Sequence, residues 1–308
     1  MSESTNHQSS TPAGSYIVGA LYSSAWNTIK ANLKPLALIT LFGVAVSTVI
    51  TVLSTMVIVN AIVDSVNDSE GVVAAIVGSA VTVGIAVLAG IFLSLLQIVA
   101  LKKATEKKAI DAREIVNESL KYLPRMIKYG LFVVGIVLGA ALVTGLIGGV
   151  VVPLALLLGL ALIVAAIIAT FRYAFVQFII IEPKDVPFMQ RFTMSQKMTE
   201  GIYGTIFLIW LVGACLGFAA GIVGGIASSP FKPKTDTGNI SFDFSSVEDE
   251  DDLYEAVDKV SNEVNDVDIN ANYVISQLIA GIASGAVSLV VSGAFLELYK
   301  QRHHLVKA

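Results

Sequence analysis

YGLFVVGIVLGAALVTGLIGGVVVPLALLLGLALIVAAIIATFRYAFVQFIII, residues 129–181, decides the fold, and Arg172 is its one charged residue. A helix crosses a hydrocarbon core of about 30 Å with about 20 residues. This stretch is therefore too long for one span and long enough for two. Gly148-Gly149 and Pro153 supply the break, because Gly tolerates turn dihedrals and Pro suits the first turn of a helix. The stretch reads as a tight hairpin, with spans over 129–149 and 153–175.

Counting outward on the same scale gives six spans. The others are Pro35–Val63, Gly71–Leu101 (ending at Lys102-Lys103), Tyr203–Ser228 and Tyr273–Tyr299. Segments of ten alternating residues, the mark of a membrane β-barrel, do not occur. The chain is 55% hydrophobic and 14% charged, with a mean hydropathy of +0.77, against roughly 45–50% and 25% in soluble domains. That excludes an ordinary soluble globular protein, a disordered chain and a nucleic-acid-binding module. The expected class is an all-α integral membrane protein whose first partner is the lipid bilayer.

The expected organisation is a polar, disordered tail over 1–15, spans one to five within 16–229, an acidic stretch over 230–272, span six over 273–299 and a basic tail over 300–308. The first 15 residues lack the apolar run of a cleavable signal. Basic residues concentrate on the cytoplasmic side of membrane proteins. Of the 20 Lys and Arg, only Lys232, Lys234 and Lys259 fall on one side of the six-span topology, and the rest fall on the other. Both termini are expected inside a plasma membrane, and an even span count agrees.

The segments before spans one, three and five look alike. Ile17, Leu21, Ala25, Ile29 and Leu33 recur at helical spacing, as do Ala112, Val116, Leu120, Leu123 and Ile127 after a capping-box-like Asp111 and Glu114. Phe188, Phe192, Ser195 and Met198 form a shorter stripe. Ser24, Ser119 and Ser195 align across the three. The pattern predicts three cytoplasmic amphipathic helices lying in the headgroup plane, each followed by a two-span hairpin; short extensions of the spans packed on the bundle are the alternative.

Pro230–Asn272 carries 12 Asp or Glu against three Lys. Within it Leu253, Val257, Val260, Val264 and Val267 predict an external helix with an acidic back. Asp266-Val267-Asp268-Ile269-Asn270 is like the opening of a calcium loop, but the sixth position is Ala271 and the twelfth Gln277, where such a loop needs Gly and Glu. A solvated acidic face is the better reading.

Ionisable residues inside a membrane usually mark ion or solute pathways, and the expected spans hold almost none. Arg172 and Glu297 both fall at the inner edge, as two interface charges or as a pair across helices. Small residues are the main intramembrane signal: Gly213, Gly217, Gly221 and Gly225 in span five, Gly281 and Gly285 in span six, and Gly135 and Gly139 in span three repeat at the four-residue step that lets helix backbones approach. Tight internal packing is expected of them, with an interface between copies as the alternative. The single cysteine, Cys215, excludes an internal disulfide. No zinc-protease, serine-hydrolase or phosphate-loop motif occurs, so neither catalysis, nor a metal, nor a cofactor is expected.

The segment Ala25-Trp26-Asn27-Thr28-Ile29-Lys30-Ala31-Asn32-Leu33, together with Arg172-Tyr173-Ala174-Phe175-Val176, Ile179-Ile180-Ile181-Glu182 and Ser195-Gln196-Lys197-Met198-Thr199-Glu200-Gly201, resembles the membrane domain associated with glycerophosphoryl diester phosphodiesterases and its stand-alone six-span bacterial relatives. The resemblance covers residues 16–230 and span six; the acidic stretch is an addition to the pattern. It implies a six-span fold and an association with envelope or lipid function. The phosphodiesterase chemistry of that family belongs to a separate metal-dependent barrel with no counterpart in these 308 residues, so the activity is not implied. Two functions follow as expectations. The first is a non-catalytic plasma-membrane protein of envelope organisation, acting with copies of itself or with a membrane-protein partner. The second is a transporter or lipid-translocating protein for apolar or amphipathic molecules.

Overall fold

The structure is a computed structural model describing residues 17–67, 69–106, 111–148, 152–182, 186–231 and 271–303. Outside them lie the expected tail over 1–15, the acidic segment 232–270 with its expected helix and the carboxylates weighed for calcium, and residues 304–308. Every described element is helical: α1 Val18–Ala31, α2 Leu33–Asn67, α3 Ser69–Thr105, α4 Ala112–Gly148, α5 Val152–Arg172, α6 Val176–Ile180, α7 Phe188–Thr199, α8 Tyr203–Ser228, a 3-10 turn Ser229–Phe231 and α9 Ala271–Arg302. Among the described residues four stretches are long and apolar enough to cross a membrane: Leu33–Ser54, Gly84–Thr105, Tyr203–Phe231 and Ala271–Arg302. In residues 129–181, α4 stops at Gly148 and α5 starts at Val152 with Pro153 in its first turn, where its missing N–H removes no helical bond.

The chain divides into two compact units. One holds residues 32–127 and 215–289. Here α2 and α3 lie side by side, and α9 packs on α2 through glycines. A Cβ at Gly281 would stand 2.7 Å from Val44 Cγ1, and one at Gly285 would stand 2.9 Å from Thr40 Cγ2. A Cβ at Gly224, which the four-residue count passes over, would stand 3.4 Å from Ala280 Cα. Ser288 Oγ donates to Gln97 Oε1 at 3.2 Å. Lys103 is buried and paired with Glu114 at 2.5 Å and Glu118 at 3.0 Å. Glu114 thus serves α3 instead of closing a capping box, while Asp111 Oδ1 accepts from the Arg113 N–H at 3.1 Å.

The other unit holds residues 1–31, 128–214 and 290–308. Leu21, Ala25 and Ile29 form the buried face of α1, and Ala25 Cβ lies 3.0 Å from where a Cβ on Gly293 would stand. Tyr22 donates to the Ile209 carbonyl at 2.8 Å, and burial pushes its phenol up to about 12. A Cβ at Gly213 would stand 2.9 Å from Val291 Cγ2 and 3.7 Å from that Tyr22 hydroxyl.

Three expectations change. First, the segment before span three is no separate helix: α4 runs unbroken from Ala112 to Gly148 with Pro124 inside it, which is the span-extension alternative at that site. The carbonyl that Pro124 leaves unbonded belongs to Leu120, itself 48% exposed, so it has room for another donor. The other two junctions do break, at Asn32 and at Gly201, whose φ of 80° favours glycine.

Second, the apolar stripe on that segment faces outward. Ile115, Ser119 and Met126 are buried while Val116 and Leu120 are exposed. The inward face is the one turned toward α3, where Glu114 and Glu118 hold the buried Lys103. The small residue at the centre of each buried face is Ala25, Ser119 and Ser195; Ser24 is exposed and falls outside the set.

Third, among the described residues Gly217, Gly221 and Gly225 meet nothing: a Cβ added to any of them has no neighbour within 4 Å. The same holds for Gly135 and Gly139. Of the glycines read as packing residues, Gly213, Gly281 and Gly285 make close approaches. A four-residue step puts glycines on one stripe but supplies no opposite helix.

Candidate functional site

The unit built from 1–31, 128–214 and 290–308 contains a half-open pocket of about 620 Å³, inside the roughly 300–1,000 Å³ typical of small-molecule sites. The first turns of α4 beyond Lys128 supply Tyr129, Phe132, Val133 and Ile136. The end of α5 and the turn after it supply Ala166, Ala169, Thr170, Tyr173 and Ala174, and the remaining walls come from Gln177, Met189, Phe192, Trp210 and Phe295. Ala166, Ala169 and Ala174 leave space that a longer side chain would fill.

The walls are held from behind by polar contacts. Ser195, fully buried on α7, accepts from the Phe175 N–H at 3.2 Å and donates to the Arg172 carbonyl at 3.3 Å. Thr199 donates to the same carbonyl at 3.1 Å. These bonds fix the turn at 173–175 against α7, joining residues 172–176 to 195–199, two of the stretches that carry the family resemblance. Arg191, also buried, donates from Nε to the Val186 carbonyl at 3.1 Å. Arg302 donates to the Met198 carbonyl at 2.9 Å and the Glu200 carbonyl at 2.7 Å, capping α7 from the end of α9. Glu182 accepts from the Tyr299 hydroxyl at 2.5 Å and lies 3.1 Å from His303 Nδ1.

Phe192 is the centre of an aromatic group. It meets Tyr173 edge-on at 5.3 Å, Phe132 at 5.4 Å, Tyr129 at 5.8 Å and Phe188 at 5.3 Å. Phe188 also meets Phe132 edge-on at 5.5 Å. Trp210 and Phe295 form a second pair at 6.3 Å. Of the polar groups in the wall, Thr170 bonds back to the Ala166 carbonyl at 2.9 Å, whereas no bond of the Gln177 amide is recorded among the described residues. The lining contains no carboxylate, and among the described residues no three of His, Cys, Asp and Glu converge as metal ligands.

The two interface charges stand apart. The Arg172 side chain is exposed and its carbonyl does the bonding, while Glu297 pairs with Lys300 at 3.6 Å on its own helix. The pocket was not assembled from the sequence, although its parts carry a signal: aromatics at 129 and 132 on one helix and at 188 and 192 on another fall three and four residues apart, each set on one face.

No protein-family model, curated protein or solved structure matches the chain.

Proposed function

We propose that this chain is a non-catalytic, multi-pass plasma-membrane protein that binds one amphipathic molecule, lipid-like in size and polarity, in the pocket between Phe132, Tyr173, Phe192 and Trp210. The pocket carries the proposal. It is large enough for a small-molecule ligand, aromatic and aliphatic on most sides, and bounded by few polar groups. Among the two expected functions it favours the handling of apolar or amphipathic molecules. Envelope organisation through copies of the chain or a membrane-protein partner stands as the second reading, favoured by the open stripe at Gly217, Gly221 and Gly225. The resemblance to the phosphodiesterase-associated membrane domain supports the same lipid context.

The proposed topology has six spans, with α4 and α5 as the third and fourth and both termini cytoplasmic. In it α1, the first turns of α4 and α7 lie at the inner headgroup plane. Asn117→Cys and Ser246→Cys, each in a Cys215→Ala background, test this on intact cells with an impermeant thiol reagent. Asn117 is exposed, unlike the buried Ser119. Labelling of 246 alone is expected; labelling of 117 would overturn the orientation.

Occupancy is tested by native mass spectrometry of the protein released from detergent. One bound amphiphile per chain is expected. Ala169→Trp, which fills the pocket, is expected to remove it while the protein stays folded. Equal occupancy in both would contradict the site.

A further inference from the structure

The pocket has two chemically different ends. Residues 129 to 136 advance about 10 Å along the axis of α4, from the two tyrosines and Gln177 to Ile136. Trp210, seven residues into α8, and Phe295, seven residues before the end of α9, pair as the remaining aromatic part of the wall. Just outside the near end, Lys128 is exposed, with its ammonium 5.3 Å from the centre of the Phe188 ring. One ring therefore separates this cation from Phe132 and Phe192 in the wall. Lys128 has no ion pair recorded among the described residues, and the lining brings no carboxylate to oppose an anion.

We infer that the occupant is an anionic glycerophospholipid from the surrounding leaflet. Its phosphate sits at Lys128, its glycerol-ester region lies against Tyr129, Tyr173 and Gln177, and one acyl chain runs past Phe132 to Trp210. This rests on the amphiphile reading and adds the charge of the headgroup to it. A zwitterionic lipid satisfies the walls equally but brings its own cation to a site that already has one. The cation–π contact holds the ammonium over Phe188, so it meets a phosphate already positioned.

The chain has two tryptophans, and Trp26→Phe leaves Trp210 as the sole reporter in the wall. The protein in excess neutral maltoside detergent is titrated with phosphatidylglycerol or phosphatidylcholine brominated in mid-chain, and Trp210 quenching is followed. Saturable quenching is expected with both, with half-saturation for the anionic lipid lower by about tenfold, equivalent to about 1.4 kcal/mol. Lys128→Gln is expected to erase the difference by weakening the anionic lipid alone, and Lys128→Arg to keep it. Raised salt is expected to shrink it. Equal half-saturation in the unaltered site, or a preference surviving Lys128→Gln, overturns the headgroup inference and leaves the pocket reading standing. Absence of saturable quenching with either lipid overturns both.

Discussion

Small residues do opposite work in two regions of the molecule. In one, Gly281 and Gly285 of α9 let Val44 and Thr40 of α2 come so close that no side chain fits between. In the other, Ala166, Ala169 and Ala174 face no such partner, and the room they leave is the pocket. The difference lies in what stands opposite. Val44 is β-branched, with one strongly preferred rotamer in a helix, and Thr40 is fixed by its bond to the Leu36 carbonyl at 2.9 Å. Such side chains make a stiff ridge that a glycine groove must fit. The rings around Phe192 brace one another and stand off from α5 instead of entering it.

The sharpest way to break this contrast is to add one methyl group at a time. At Gly281 the new Cβ meets Val44 at 2.7 Å, and Val strongly prefers one rotamer in a helix, so Gly281→Ala is expected to cost about 1–3 kcal/mol as overpacking. Gly217→Ala meets nothing within 4 Å and is expected to be neutral or stabilising by up to about 1 kcal/mol, since Ala outranks Gly in helices. Thermal melts in detergent read both. Equal losses would show that Gly217 has a partner.

A smaller effect separates two buried serines at matching positions. Ser195→Ala strands the Phe175 N–H behind the pocket and is expected to cost about 1–2 kcal/mol. The Ser119 hydroxyl is buried and has no hydrogen-bond partner among the described residues, so Ser119→Ala is expected to be neutral or mildly stabilising. A matching loss at both positions in chemical denaturation would show that Ser119 has a partner after all.

The helical class and several helix bounds were legible in the sequence, and most of the site was not. Gly148 and Pro153 marked the end of one helix and the first turn of the next, because dihedral freedom and a missing donor act locally. The bounds of α8 coincide with the span read from apolar length. What failed were several inferences about which face meets a partner helix. The stripe at Val116 and Leu120 faced out, the glycines at 217, 221 and 225 met open space, and Ala25 held the place assigned to Ser24. Lys103, read only as the end of a span, lies buried between two glutamates. Helical periodicity names a face but does not say which neighbour lies across from it.

The smallest expected effect is a pH dependence at Tyr22. Its phenol is raised above its usual value of 10, to about 12, by burial, so folding favours the neutral form. The stabilisation is complete below pH 10 and is lost as pH rises toward 12. Tyr22→Phe is expected to flatten that alkaline slope, and melts of the two proteins between pH 9 and 12 compare them. An unchanged slope would place Tyr22 in water.

The central claim is that the space beside Ala169 belongs to an amphiphile. An experimental density map of the protein in lipid nanodiscs tests it most directly. Expected is one elongated feature, not protein, running from the Lys128 end past Phe132 to the Trp210–Phe295 pair. Rings of Phe132 and Phe192 closed down on Ala169, with no space left between them, would contradict it.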